Sequence, residues 1–204
     1  MSRDTYRTLA QPATFRHKIE RSEFLGLAFA VESDDAFFAA LKRIEKEHFD
    51  ATHHCWAFRL FANGRARSSD AGEPSGTAGK PILGAIESAE LFDAAVVVVR
   101  WFGGVKLGTG GLARAYRGTA AETLRRTQPA DRFLYERVRV RVPFDRLGDI
   151  YRLIAPPDVV LVSTDFGEVN VFSFDVRASR ADEFRRVVLQ FIPRGSAGSA
   201  EPSR

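Results

Sequence analysis

Residues 96–119, VVVVRWFGGVKLGTGGLARAYRGT, constrain this chain more than any other stretch. Four consecutive valines predict a strand buried on both faces. A glycine-rich turn follows, then an amphipathic helix expected to begin near Gly111. Between Ala94 and Ala121 there is no acidic residue, while Arg100, Lys106, Arg114 and Arg117 all fall inside that window. A helix N-terminus presents unpaired N–H groups and partial positive charge. Glycines let another molecule come close to that backbone. Gly103, Gly104, Gly108, Thr109, Gly110 and Gly111 are thus expected to shape an anion cradle, with the four cations supplying charge.

The 204 residues suffice for one large or two small domains, and 45% hydrophobic content predicts a packed core. The net charge of +4 favours an anionic partner only weakly, because clustering matters more than the sum. A single cysteine, Cys55, excludes a disulfide framework and fits a reducing cytosol. No run approaches the ~18 apolar residues of a membrane span. The opening MSRDTYRTLAQPA lacks the apolar core of a signal peptide. A cytoplasmic protein without membrane contact is expected.

Residues 1–12 are polar and read as loose. Strands are expected at 15–20 and 24–31, joined by a short charged turn. Ser33 can cap a helix with Asp34 and Asp35 in its first turn. Phe37, Leu41, Ile44 and His48 then share one helical face, His48 as a helix-end residue. Residues 55–61 read as a strand, and Asn63 with Gly64 as a turn. A polar loop leads to a helix from about Thr77 to Ala89. On the helix after the glycines, Arg114, Arg117 and Arg125 take one side. Leu112, Ala115, Tyr116 and Ala120 take the other. A merely solvated arginine face is the plain alternative to a binding face. The polar link around residues 128–132 marks a domain boundary. Beyond it the pattern is strand 133–142, helix 144–154, strand 159–166, strand 169–177, helix 181–192. That order is βαββα, an α+β sandwich of the ferredoxin-like type. The tail 194–204 is low-complexity and expected to be disordered. The organisation is therefore 13–128, 132–193 and the tail.

Gly108-Thr-Gly-Gly-Leu-Ala113 formally matches a dinucleotide fingerprint, but no following parallel strand with a terminal acid is evident. Asp70 and Glu73 near His53 and His54 raise a metal or acid/base site, but metal motifs need ligands at fixed offsets on a rigid element, and this spacing across an irregular loop and a strand edge does not support one. The competing reading is that Asp70 and Glu73 accept backbone hydrogen bonds and hold the loop. Cys55 and His54 point to opposite faces of a strand, so they form no nucleophile pair. On the strand 133–142, Phe133, Tyr135, Arg137, Arg139 and Arg141 share one face. Aromatics interleaved with arginines can stack bases and neutralise phosphates. Packing of the aromatics within the protein is the alternative.

Two segments, SDAGEPSGTAGKPIL at 69–83 and VRWFGGVKLGTGGLARAY at 99–116, strongly resemble the signatures of the YigZ/IMPACT family. Residues 18–24 resemble its Lys-x-x-x-Ser-x-Phe segment, although Glu20 and Glu23 replace residues that are often basic. His53 and Cys55 resemble its His-x-Cys strand. Ala71 stands where a second acid often occurs, which weakens a two-carboxylate metal site. The resemblance covers about residues 14–127, and the remainder looks like the family's bacterial C-terminal domain. It implies a first domain like a small-subunit ribosomal protein's second domain and domain IV of elongation factor G, then a ferredoxin-like domain. It also implies a link to translation through RNA or the ribosome. Eukaryotic IMPACT proteins act on a kinase pathway through an RWD domain that this sequence lacks, so that mechanism is not carried over.

The expectation is thus an RNA- or ribosome-binding protein that modulates translation, without a cofactor or a catalytic residue. The basic glycine cradle would bind, with His53, Asp70, Glu73 and Lys80 as its adjoining wall and Arg137, Arg139 and Arg141 as a secondary basic strand. The alternatives are an enzyme or sensor for a small phosphorylated ligand in the same cradle, and a pure protein-interaction module. Oligomeric state is left open.

Overall fold

The structure is a computed structural model that describes residues 4–62 and 64–191. Asn63 and the tail 194–204 lie outside the described residues, as does Ile192 at the expected end of the last helix. The chain divides into two compact units. One is Tyr6–Arg132, and the other runs from Phe133 onward together with Asp4 and Thr5.

The first unit contains β1 (Thr5–Leu9), β2 (Ala13–Ile19), β3 (Ser22–Ala30), α1 (Asp34–Glu47), β4 (His53–Arg59) and β5 (Ala66–Ser69). Next come α2 (Gly79–Ser88), β6 (Ala94–Trp101), α3 (Gly108–Arg125) and β7 (Pro129–Phe133). Five strands form an antiparallel sheet in the order β2-β3-β6-β4-β5. The valine run is its central strand. Alternation divides that run between two cores. Ala94, Val96 and Val98 pack with α2 and α3, while Ala95, Val97 and Val99 pack with α1. All six are fully buried, and each valine contributes about 1.5–3 kcal/mol by leaving water.

Helix α1 starts as the sequence predicts, with Ser33 Oγ accepting from Ala36 N at 3.2 Å and two acids in the first turn. It ends at His48. On α3 the buried residues are Leu112, Ala115, Tyr116, Thr119, Ala120, Thr123 and Leu124, the face opposite Arg114 and Arg117. The helix approaches β3 so closely at Gly26 that a Cβ there would lie 2.0 Å from Thr123 Oγ1.

Three strands depart from the sequence expectation. Residues 1–12 are not uniformly loose, because β1 pairs with β7 in a two-stranded ribbon. Tyr6 stacks on Phe61 at 4.1 Å between centroids, and its hydroxyl donates to Asp93. Aromatic stacking and a buried acceptor outweigh the local polarity. The polar loop contains β5, which pairs along β4. The strand expected over 133–142 breaks at Leu134: β7 ends at Phe133 and the next strand begins at Tyr135.

The second unit comprises β8 (Tyr135–Val142), α4 (Leu147–Tyr151), β9 (Val159–Asp165), β10 (Asn170–Arg177) and α5 (Ala181–Phe191). The element order is the one read from the sequence. A 3-10 turn, Phe144–Arg146, takes the first part of the expected α4. The sheet is antiparallel, ordered β8-β10-β9. Val138, Val140 and Val142 pack with Phe172, Phe174 and Val176 beneath Ile150, Phe184 and Val188. Both units are therefore mixed α and β with open sheets. No helix among the described residues is long and apolar enough to cross a membrane.

Candidate functional site

Two helices of the first unit start near the signature segments, and their N-termini differ. Helix α2 is sealed from within. Asp70 Oδ1 accepts from Ala78 N at 2.9 Å and Gly79 N at 2.8 Å, and Oδ2 accepts from Gly76 N at 2.8 Å. Burial opposes ionisation of Asp70, but the three N–H donors and the charge of Lys80 outweigh it and hold its carboxyl below the ordinary value. Asp70 thus holds the loop, as the backbone-acceptor reading proposed.

Helix α3 is open. It has no side-chain cap and no acid in its first turn. Gly104 and Gly108 take φ of +86° and +68°, the left-handed turns that carry the chain from β6 into the helix one turn earlier than expected. Gly103 lies against the β2–β3 hairpin, where a Cβ would be 2.0 Å from Arg21 O. Thr109 and Gly110 are exposed in the first turn. Beside this start lies an open groove of ≈ 530 Å³ lined by Ile19, Glu20, Val105, Lys106, Leu107, Gly111, Arg114 and Ala115. Lys106 and Arg114 are exposed there. Arg117 is exposed one turn on, and its Nη2 donates to Ser88 Oγ at 3.2 Å.

Arg100 does not join them. It is buried, its Nη1 donating to Glu73 Oε1 at 2.6 Å and its Nη2 to Ser22 Oγ at 3.1 Å. The guanidinium lies 5.4 Å from the centroids of both Phe24 and Phe102. A strand buried on both faces turns its one charged residue inward, and that charge then requires a counter-ion.

Glu73 is that counter-ion. Its Oε1 also accepts from the Tyr116 hydroxyl at 2.7 Å and lies 3.8 Å from His53 Nε2. His53 Nδ1 contacts Ala71 O at 3.0 Å, and since a carbonyl only accepts, Nδ1 carries the proton. Cys55 is fully buried and donates to Asp70 O at 2.9 Å, and burial pushes its thiol up to about 12. Burial likewise pushes the Tyr116 hydroxyl up.

The expected wall of His53, Asp70, Glu73 and Lys80 does not line the groove. Glu73 and Asp70 act as internal acceptors, while Lys80 is exposed on α2. The wall is instead Ile19 and Glu20 of the β2–β3 hairpin. Ser22 and Tyr116 complete the buried polar cluster, and neither was among the expected site residues. A tyrosine on the apolar face of a helix needs a hydroxyl partner, and that was the available signal for Tyr116.

In the second unit, Arg137 is bound by Asp175 of β10, with Nε to Oδ1 2.5 Å and Nη2 to Oδ2 3.2 Å. Arg139 and Arg141 stand exposed opposite Ser173 and Val171. The aromatics expected to stack bases are engaged otherwise. Phe133 lies 4.2 Å under the Arg177 guanidinium, and the Tyr135 hydroxyl donates to Pro157 O at 2.9 Å.

These features define a two-unit α+β protein with a sealed polar cluster under one signature loop and an open, charged groove beside the other. The Impact N-terminal domain family matches residues 20–124. IMPACT family member YigZ of Escherichia coli is 30% identical over 190 residues, covering 92% of this chain and 93% of that protein. A Thermus thermophilus member is 45% identical over 139 residues, 67% of this chain and 73% of its own. A crystal structure of a hypothetical protein superposes with a TM-score of 0.74 at 28% identity, covering 98% of each chain. This chain belongs to the IMPACT family.

Proposed function

We propose that this protein binds RNA or the ribosome and acts in the regulation of translation, through the groove at the start of α3. The observation that carries the reading is that open helix start, uncapped and without an acid in its first turn, flanked by the exposed Lys106 and Arg114. Phosphate oxygens are the natural partners of such donors. Gly103, Gly104, Gly108, Thr109, Gly110 and Gly111 shape the backbone. Lys106, Arg114 and Arg117 supply charge, and Arg139 and Arg141 form a secondary basic strand. Arg100 contributes by holding the signature loop in place. Family membership supports the link to translation, which is the family's general association. The reading includes domains at 13–128 and 132–193, the first like domain IV of elongation factor G and the second ferredoxin-like. It also places the protein in the cytoplasm.

Co-sedimentation with ribosomal subunits over a salt series tests this. Binding is expected to fade with salt, and Arg114→Ala/Arg117→Ala to flatten the slope by up to about one unit per lost phosphate contact. No sedimentation even at low salt would overturn the proposal.

A further inference from the structure

The groove at the start of α3 is not uniformly basic. Lys106 and Arg114 stand on the α3 side, and Glu20 stands on the hairpin side. All three side chains are exposed, and none makes a hydrogen bond or ion pair with another described residue. An ammonium, a guanidinium and a carboxylate thus line one concave surface without neutralising one another. Each keeps its full capacity: three donors on lysine, five on arginine, two acceptor oxygens on glutamate. A strand running the whole groove would bring a phosphate against Glu20, so a polynucleotide enters it by one nucleotide with the base, not a second phosphate, toward Glu20. A ligand that suits all three groups carries an anion at one end and hydrogen-bond donors at the other.

Size and polarity narrow the class further. A volume of ≈ 530 Å³ lies in the ~300–1,000 Å³ range of small-ligand sites and fits one nucleotide better than an extended strand. Ile19, Val105 and Leu107 add apolar surface to the same lining, which suits a flat ring. Resting on the proposed role of the groove, we propose that it takes a single phosphate-bearing nucleotide whose base donates to Glu20. Guanine matches best, because its N1–H and N2–H₂ lie side by side and can meet both carboxylate oxygens, as a guanidinium does. Uracil offers one N–H between two carbonyls, whose oxygens would face the carboxylate. Glu20 is then the specificity-determining residue.

The test uses the full chain and calorimetric titration with GMP, UMP and inorganic phosphate. A second arm uses short 5′-phosphorylated RNAs that begin with G or U. GMP, or the G-initiated RNA, is expected to bind at least about tenfold tighter than its uracil counterpart. Glu20→Gln should abolish that preference while leaving phosphate binding in place, whereas Lys106→Ala/Arg114→Ala should weaken every probe. Preference with free GMP identifies a free nucleotide as ligand, and preference confined to the RNAs identifies an RNA end. Equal binding of G and U probes, or a preference that survives Glu20→Gln, overturns the inference. Ribosome co-sedimentation that still depends on Arg114 in that event leaves the RNA-binding function standing. Its loss as well removes both.

Discussion

Glu73 and Arg100 form an ion pair inside the first unit, 2.6 Å between Oε1 and Nη1, with side chains only 3% and 4% exposed. The pair joins the signature loop to the central strand, and Tyr116 joins it to α3 through the same oxygen. The two long signature segments are thus tied together by one carboxylate. That tie shapes the floor on which α3 rests, which is how residues outside the groove can matter to it.

Removing one member leaves the other charge buried and unpaired. Glu73→Ala is therefore expected to cost about 3–5 kcal/mol in unfolding free energy. Tyr116→Phe deletes a single neutral donor and should cost about 1 kcal/mol. Replacing both charges, Glu73→Leu/Arg100→Met, should recover much of the loss, since apolar pairs often substitute well for buried ions. Urea denaturation of the four proteins checks this. A Glu73→Ala loss below that of Tyr116→Phe would show that the pair does not hold the loop.

Asp70 acts on the same loop by capping α2. Asp70→Ala should cost about 1–2 kcal/mol, in the range of a lost N-cap. The direction of its pKa fixes the pH dependence. A carboxyl held below its ordinary value stabilises the fold fully above the unfolded pKa, near 3.8, and that contribution fades as pH falls through the folded value. The stability gap between the wild type and Asp70→Asn should therefore be constant above about pH 5 and narrow below about pH 4. A gap that widens on acidification would contradict the assignment.

Cys55 is the protein's one thiol, and its surroundings make it inert. It has no exposed surface, and burial pushes its pKa up to about 12. Thiolate is the reactive form, so a disulfide reagent at pH 8 should label the native protein at least about a hundredfold more slowly than the urea-unfolded chain. Labelling at equal rates would mean that the loop over Cys55 opens freely.

The elements were legible where local physics decides them. The valine run had to be buried on both faces, Ser33 had to cap α1, and the arginines of α3 had to face away from Tyr116. What stayed hidden was set by distant partners. Strand β1 exists because Tyr6 finds Phe61 and Asp93, far away in sequence. Arg100 looked like a groove cation because its window holds no acid, and its counter-ion Glu73 lies on the loop before α2. Glu20 read only as part of a charged turn. Its place in the same groove as Arg114 follows from the β2–β3 hairpin lying beside the start of α3, and no local pattern encodes that.

On β8 the three arginines looked equivalent, but the pairing with β10 distinguishes them. Arg137 faces Asp175 and is bound by it through two hydrogen bonds, which raise its pKa further. Arg139 and Arg141 face Ser173 and Val171, which offer no charge. If this sheet face contributes to RNA binding, only the latter two release counterions on contact with phosphate. Arg139→Ala/Arg141→Ala should then reduce the salt slope for single-stranded RNA by up to about 1.4 units, at ~0.7 per contact. Arg137→Ala should leave the slope nearly unchanged while exposing Asp175. Filter binding over a salt series separates the cases. Equal effects from Arg137 and Arg139 would mean that the Asp175 pair dissolves when RNA binds, and no effect from any of the three would assign RNA binding to the first unit alone.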